Sequence, residues 1–149
     1  SNGDEAILDD GSILHDSHVI CEYLDSIGTG PTLCPKENEW EWRTRAMVGH
    51  GLAESSVQLR LQQVLPENEQ SSSMIDRYNQ RIDRCLSLLD DEVSQMTFDK
   101  MRMDKICTII GLGHLEFRHG SEWKDRAQSL ASWYEAERDR PSIAQTAPM

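Results

Sequence analysis

Positive charge is scarce in this chain of 149 residues. Fifteen lysines and arginines stand against 26 aspartates and glutamates, which gives a formal net charge of −11 at pH 7. A surface this acidic repels nucleic-acid phosphates and anionic lipids, so the composition argues against nucleic-acid binding and membrane binding. It does not exclude a small anion held at a helix terminus.

Long apolar runs and paired cysteines are also missing. No run approaches the ~20 apolar residues that span a bilayer, and no basic-then-apolar leader opens the sequence. The cysteines are Cys21, Cys34, Cys85 and Cys107, and none forms a C-x-x-C pair. This pattern favours free thiols in a reducing cytosol over disulfides or zinc. We therefore expect a cytoplasmic protein of ordinary soluble composition, without a metal.

The sequence also lacks the familiar catalytic motifs. It has no Gly-rich phosphate loop and no G-x-S-x-G nucleophile turn, and its histidines do not show the i, i+4 spacing of a helical metal site. Cys34, with Lys36 nearby, is the only candidate for a cysteine nucleophile, because the other three cysteines fall within helical patterns.

The front of the chain predicts one β-hairpin followed by one helix. Apolar runs at 6–8 and 12–14 flank Asp9-Asp10-Gly11, which is a tight-turn signal. From Ser17 the apolar residues recur at helical spacing, and Gly28 is placed to cap the C-terminus of that helix. The segment 29–39 contains Gly and Pro without periodicity, so it is predicted to be a linker.

The remainder predicts helices throughout. Asn38 can cap a long first helix, Pro66 begins a second, and a third, nearly all apolar, is predicted over 99–117. A last helix stops before Pro141. Two glycines inside the third helix, Gly111 and Gly113, each disfavour the helix by about 1 kcal/mol relative to Ala, which indicates close approach of a neighbouring helix.

Asp16-Ser17, at the start of the first predicted helix, has two interpretations. Asp and Ser are preferred helix caps, and on that ground alone capping is the favoured role. A helix N-terminus also accepts a carboxylate, to which Ser17 could add a hydroxyl donor, while Asp16 could pair with an ammonium group. An amino-acid head group would satisfy both residues.

Four stretches resemble the glutathione transferase superfamily in its bacterial soluble branch. LDDGSILHDSHVICEYLDS is similar to the last hairpin and third helix of the family's thioredoxin-like domain. RTRAMVGHGLAESSVQLRLQ is similar to the long first helix of its helical domain, and DKICTIIGLGHLEFRHGSEW to the buried central helix. LASWYEAERDRPSIAQTAP resembles the closing helix and tail. The resemblance extends from about Ala6 to Pro148.

The resemblance implies a mainly α fold. An all-helical C-terminal domain, residues 36–149, would follow a hairpin and a helix left from a thioredoxin-like domain, residues 1–30. It also implies glutathione as co-substrate, with Asp16 and Ser17 binding its γ-glutamyl end. The partners implied are a hydrophobic electrophile and a second copy of the chain, which would form a homodimer. We assign the candidate substrate cleft to Trp40, Arg43, Met47 and His50.

The sequence departs from the family at its front. The strand-helix-strand-helix portion that carries the family's catalytic Ser, Cys or Tyr has no counterpart here, and no proline occurs before Pro31. The catalytic residue is therefore unassigned. One reading is a transferase that conjugates or reduces electrophiles when the full N-terminal domain is present. The others are a non-catalytic module for helical interaction or dimerisation, and a binder of apolar ligands beside the long helix.

Overall fold

The computed structural model describes residues 4–146 and divides into two compact units, the first ending at Glu39 and the second starting at Trp40. The predicted fold class is confirmed: one hairpin and one helix precede a set of helices. Among the described residues, no helix is both long enough and apolar enough to cross a membrane. The domain boundaries that the resemblance implies, at residues 30 and 36, stay a prediction.

The first unit contains the hairpin and the helix that the sequence predicts. Strands β1 (Glu5–Ile7) and β2 (Ile13–His15) pair antiparallel, with Ala6 opposite Leu14. Helix α1 (Ser17–Ile27) follows directly. In the turn, Gly11 alone takes a positive φ, of 83°, which a glycine adopts without a steric penalty. The Asp10 carboxylate accepts hydrogen bonds from the backbone and hydroxyl of Ser12, and these bonds lower the pKa of Asp10.

A second aspartate organises the chain after α1. Gly28 caps this helix by donating its N–H to the Leu24 carbonyl, although its backbone is extended rather than left-handed. The Asp25 carboxylate accepts the Leu33 N–H at 2.7 Å and the Thr32 hydroxyl at 2.6 Å. These two bonds hold the pKa of Asp25 below its ordinary value. The segment after α1 is thereby tied back to the helix.

The second unit is helical. Its helices are α2 (Glu39–Gln63), α3 (Ser72–Asp91), α4 (Met103–His119), α5 (Trp123–Arg126), α6 (Gln128–Arg138) and α7 (Pro141–Ala144). Short 3-10 turns occupy Glu67–Glu69 and Val93–Met96. The core gathers around α4, and its fully buried apolar side chains include Leu52, Leu89, Met96, Leu112 and Leu130.

Two predicted helix starts are displaced. Pro66 only precedes a 3-10 turn, and α3 begins after Ser71, whose hydroxyl accepts the Met74 N–H. Helix α4 begins at Met103 rather than near Asp99. The segment before it stays irregular because its carbonyls are bound by side chains: Phe98 accepts from Lys105 and Asp99 accepts from Arg140.

Helices α2 and α4 approach through glycine, as predicted for Gly111. The same prediction for Gly113 is wrong, because a Cβ there would meet only the Tyr134 hydroxyl, at an ordinary 3.5 Å. A Cβ added to Gly111 would lie 2.5 Å from the Gly49 carbonyl oxygen. One added to Gly49 would lie 2.7 Å from the backbone at Cys107 and Thr108. Nearer the N-terminus of both helices, Arg45 of α2 forms an ion pair with Asp104 of α4. Because the contacts advance in the same direction along both helices, α2 and α4 run parallel here.

A buried charge network fixes the start of α4. Asp104 is fully buried and accepts from Arg45 Nε at 3.0 Å and from Arg102 Nε at 2.8 Å. Arg45 also donates to Glu92 at 2.6 Å. Burial by itself lowers the pKa of Arg45, but the bonds to Glu92 and Asp104 outweigh it and raise that pKa. Each buried charge therefore has an opposite partner.

Lys105, the residue after Asp104, is a second buried charge that has a partner of opposite sign. Lys105 is also fully buried, and its Nζ donates to Glu137 at 3.1 Å and to the Phe98 carbonyl at 2.6 Å. Glu137 in turn accepts from Arg140 at 2.6 Å. The N-terminus of α4 is thereby connected to the end of α6.

We expect Gly111→Ala to destabilise the second unit by about 1–3 kcal/mol or more, because its methyl group would overlap backbone that cannot yield. Gly113→Ala is the matched control, since its Cβ would meet only the Tyr134 hydroxyl at 3.5 Å, an ordinary contact. That substitution should be neutral or stabilising by up to about 1 kcal/mol, from helix propensity. Urea denaturation measures both. Equal effects would contradict the close approach at Gly111.

We expect Asp104→Asn to lower the free energy of unfolding by about 3–5 kcal/mol, because it leaves two arginines without the buried carboxylate. Asp83→Asn makes the same chemical change in an exposed pair with Arg126 and should lower it by at most about 1 kcal/mol. Chemical denaturation of both variants tests the difference. Similar losses would show that Asp104 has no special role.

Candidate functional site

The turn from β2 into α1 places Asp16 at the helix N-cap. Its Oδ1 accepts the backbone N–H of His18 at 2.9 Å, and its carbonyl accepts the Ile20 N–H at 3.0 Å. The cap predicted from the sequence is therefore present. Within residues 4–146, this carboxylate accepts a hydrogen bond only from His18, and the side chain is exposed.

Asp16 also has a backbone conformation that the sequence did not reveal. Its φ is 74° and its ψ is 128°, a left-handed φ that a residue with a side chain rarely adopts. Such conformations cost of order 1–3 kcal/mol and are concentrated at functional sites. A cap by itself needs only ordinary extended backbone. The strain at Asp16 therefore favours a role beyond capping.

Ser17 is the first residue of α1 and is exposed. The first N–H groups of a helix have no partner inside it, and Asp16 binds only that of His18. The N–H groups of Ser17 and Val19, together with the Ser17 hydroxyl, can thus meet a carboxylate. The first turn of α1 contains no acidic residue to oppose that anion. Asp16 adds a negative charge at the same helix end, suited to an ammonium group.

Two of the four candidate cleft residues on α2 line a groove. Arg43 and Met47 line a groove of about 470 Å³ between α2 and α3, together with Arg81 and Cys85. Trp40, with 76% of its surface exposed, and His50 do not line that groove. The guanidinium group of Arg43 also lies over the ring of Trp42, 4.9 Å from the ring centroid. The substrate cleft stays a prediction.

The cysteines differ in environment. Cys21 is exposed and Cys34 is half-buried in the segment after α1, whereas Cys85 and Cys107 are buried. Burial raises the pKa of Cys85, and the nearby Arg81 and Arg84 offset this only in part. Cys85 is therefore a poor nucleophile. Among the described residues, no cluster of His, Cys, Asp and Glu could hold a metal ion.

Sequence reasoning missed a group of arginines on α3. Arg77, Arg81 and Arg84 line a second groove between α2 and α3, of about 640 Å³. Their spacing of four and three residues places them on one helix face, so the signal was readable. The sequence could not show that α2 forms the opposite wall of this groove.

No protein-family model matches the sequence. A crystal structure of a glutathione transferase family member from Pseudomonas fluorescens Pf-5, with bound glutathione, is 31% identical and superposes with a TM-score of 0.90. The match covers 97% of this chain and 73% of that one. This chain belongs to the glutathione transferase superfamily.

Two further relatives agree with this membership. A glutathione S-transferase from Methylobacillus flagellatus KT, crystallised with glutathione, is 28% identical, with a TM-score of 0.87 and coverage of 97% of this chain and 75% of that one. The GST-like protein YibF of Escherichia coli K12 is 24% identical over 147 residues, which are 95% of this chain and 73% of that protein. The predicted family is confirmed.

Proposed function

We propose that this transferase uses glutathione to conjugate or reduce a hydrophobic electrophilic small molecule. Asp16 and Ser17 would hold the γ-glutamyl end of glutathione, whose α-carbon carries one carboxylate and one ammonium group. The observation that carries the proposal is the strained, exposed Asp16 beside the open first turn of α1. The Pseudomonas fluorescens and Methylobacillus flagellatus structures, both with bound glutathione, support it.

The two residues would divide the recognition between them. The Ser17 hydroxyl and the helix N–H groups bind the carboxylate, aided by the positive end of the helix dipole. Asp16 pairs with the ammonium through the carboxylate oxygen that His18 does not use. Since both charges of the head group are matched, a simple carboxylic acid would bind more weakly.

The thiol chemistry requires another residue. A transferase of this type lowers the pKa of the glutathione thiol and orients it towards the electrophile. We assign that task to none of the described residues. We place the task in the complete N-terminal domain, as the sequence resemblance implies.

In protein that carries the complete N-terminal domain, Ser17→Ala should weaken glutathione binding by about 1–3 kcal/mol, the range for losing a hydrogen bond to a charged group. Ser26→Ala is the matched control, since Ser26 lies at the other end of α1 and donates only to the Tyr23 carbonyl. Isothermal titration calorimetry measures both affinities. Unchanged affinity for Ser17→Ala, with the fold intact, would show that Asp16 and Ser17 only cap the helix.

Asp16→Asn separates the two roles of the acid. Asparagine is an equally good helix cap, so stability should change little. It carries no charge for the ammonium, so glutathione affinity should still fall by about 1–3 kcal/mol. Thermal melting and calorimetry on one preparation distinguish the effects. Affinity that survives the substitution would contradict an ammonium contact at Asp16.

We also propose a homodimer built mainly by α2. Large apolar side chains remain exposed on α2 and α3, among them Trp40, Met47, Leu61 and Leu88. Symmetric pairing is the commonest way to cover such a face. The segments that the resemblance assigns to pairing are 17–26, 38–63 and 66–94.

Met47→Glu should shift the dimer towards monomer at micromolar concentration, because it would bury a charge in the contact. Phe117→Glu is the control, since Phe117 is similarly exposed but lies on α4, outside the pairing segments. Light scattering reports the mass of each. A wild-type protein that is monomeric at micromolar concentration would overturn the dimer.

A further inference from the structure

Gly113 of α4 is a glycine that the close contact between α2 and α4 does not explain. A Cβ there would meet only the Tyr134 hydroxyl, at 3.5 Å. Glycine is nonetheless less favourable than alanine inside a helix. Gly113 lines a cavity of about 390 Å³ between α4, α6 and α7, a volume in the range of small-molecule sites. The lack of a side chain at Gly113 therefore leaves room in this α4–α6–α7 cavity.

Tyr134 lines the same cavity from α6, and its hydroxyl lies beside Gly113. The residue is only 5% exposed, and within residues 4–146 its hydroxyl makes no hydrogen bond. Burial is the main cause that raises the pKa of Tyr134, so the hydroxyl stays protonated at neutral pH and can donate. Because buried hydroxyls are usually hydrogen-bonded, this one is available to a molecule that enters the cavity.

His114 adds a second donor to the lining. Its Nδ1 lies 2.7 Å from Nη1 of Arg118 and must accept that hydrogen bond, because a guanidinium group only donates. Burial, and next the charge of Arg118, lower the pKa of His114, so the ring is neutral at pH 7. The ring proton is then on Nε2, which makes no hydrogen bond within residues 4–146.

The charged residues of the lining favour a neutral ligand. Arg138 donates to Glu116 at 3.2 Å and to Glu135 at 3.4 Å, so its charge is compensated. Asp139 is exposed and forms no ion pair within residues 4–146. Its carboxylate, on a chain with a formal charge of −11, repels an anion.

Isoleucines form an apolar part of the lining. Ile109 and Ile110 come from α4 and Ile143 comes from α7. Ile109 is buried, whereas Ile110 is half exposed. A ligand that covers these side chains gains hydrophobic contact, so the cavity suits a molecule that is mostly apolar and has one hydrogen-bond acceptor.

We propose that the α4–α6–α7 cavity binds a neutral small molecule with an apolar body and a carbonyl oxygen, such as a ketone, an ester or an amide. The oxygen accepts hydrogen bonds from Tyr134 and His114, and the body lies against the three isoleucines. All the lining residues belong to the second unit and lie outside the segments assigned to pairing. The site is therefore independent of the proposed glutathione site and of the proposed dimer.

Acetophenone is a suitable probe because it joins an apolar ring to a carbonyl group. Ethylbenzene keeps nearly the same shape without the acceptor, and benzoate keeps the ring but is an anion. In ¹H–¹⁵N NMR titrations of the full chain, acetophenone should shift the amide signals of residues 109–114 and 143–146. It should bind about tenfold more tightly than either control, since only it is both neutral and an acceptor for two donors. Equal affinities for acetophenone and ethylbenzene, or no shifts in these segments, would overturn the proposal.

Tyr134→Phe should lower the acetophenone affinity about fivefold and leave the ethylbenzene affinity unchanged, because it removes one donor and keeps the ring. The variant should fold normally, since the hydroxyl has no partner within residues 4–146 to lose. Tyr78→Phe is the matched control, because Tyr78 lies on α3 and does not line the cavity. Acetophenone affinity that Tyr134→Phe leaves unchanged would overturn the proposal.

Gly113→Leu should abolish the binding of both acetophenone and ethylbenzene, because the added side chain would occupy the cavity. Circular dichroism verifies the fold, and Tyr134→Phe provides the test if this variant does not fold. Acetophenone binding that survives in folded Gly113→Leu would overturn the location of the site.

The same titration on protein that carries the complete N-terminal domain distinguishes a ligand site from a contact surface for that domain. An unchanged acetophenone affinity supports the ligand site. Binding that is lost in the longer protein would show that the added domain fills the cavity, and it would overturn the proposal. The glutathione titrations with Ser17→Ala are unaffected by either outcome.

Discussion

The close contact between α2 and α4 is the constraint on which the helical unit depends. The two helices run parallel and approach so closely that neither Gly49 nor Gly111 has room for a methyl group. Arg45 and Asp104 join the same helices with a buried ion pair. The glycines set the distance between the helices and the ion pair sets their register, so the core side chains of α4 meet their neighbours in one arrangement.

Charge has two different uses in this protein. Around the start of α4, every buried charge is paired. Two cations of these pairs, Lys105 and Arg140, also donate hydrogen bonds to the backbone carbonyls of Phe98 and Asp99, in the irregular segment before α4. On α3, Arg77 and Arg84 line a groove, and no residue within 4–146 forms an ion pair with either of them. The first arrangement defines the fold, because an unpaired buried charge is strongly destabilising. The second leaves interaction energy available for a partner.

At Asp16 and Ser17, helix capping coincides with the proposed recognition of glutathione. Capping explains the residue types, but it does not explain a positive φ at an aspartate. The strain must be compensated by the hairpin before it and the helix after it. A site on a rigid strand-to-helix turn, rather than on a long loop, keeps the carboxylate and the first helical N–H groups in a fixed relation.

The sequence by itself determined the hairpin, the first helix with its Asp16 cap, the order of the main helices, and the close approach at Gly111. These depend on local signals: turn glycines, helical periodicity, capping residues and a glycine that local propensity disfavours. Only the tertiary structure decided the start of α4, the partners of Lys105 and Asp104, and the wall opposite Arg77 and Arg84. These depend on residues far apart in the chain, and neither periodicity nor propensity contains information about which distant side chain satisfies a buried charge.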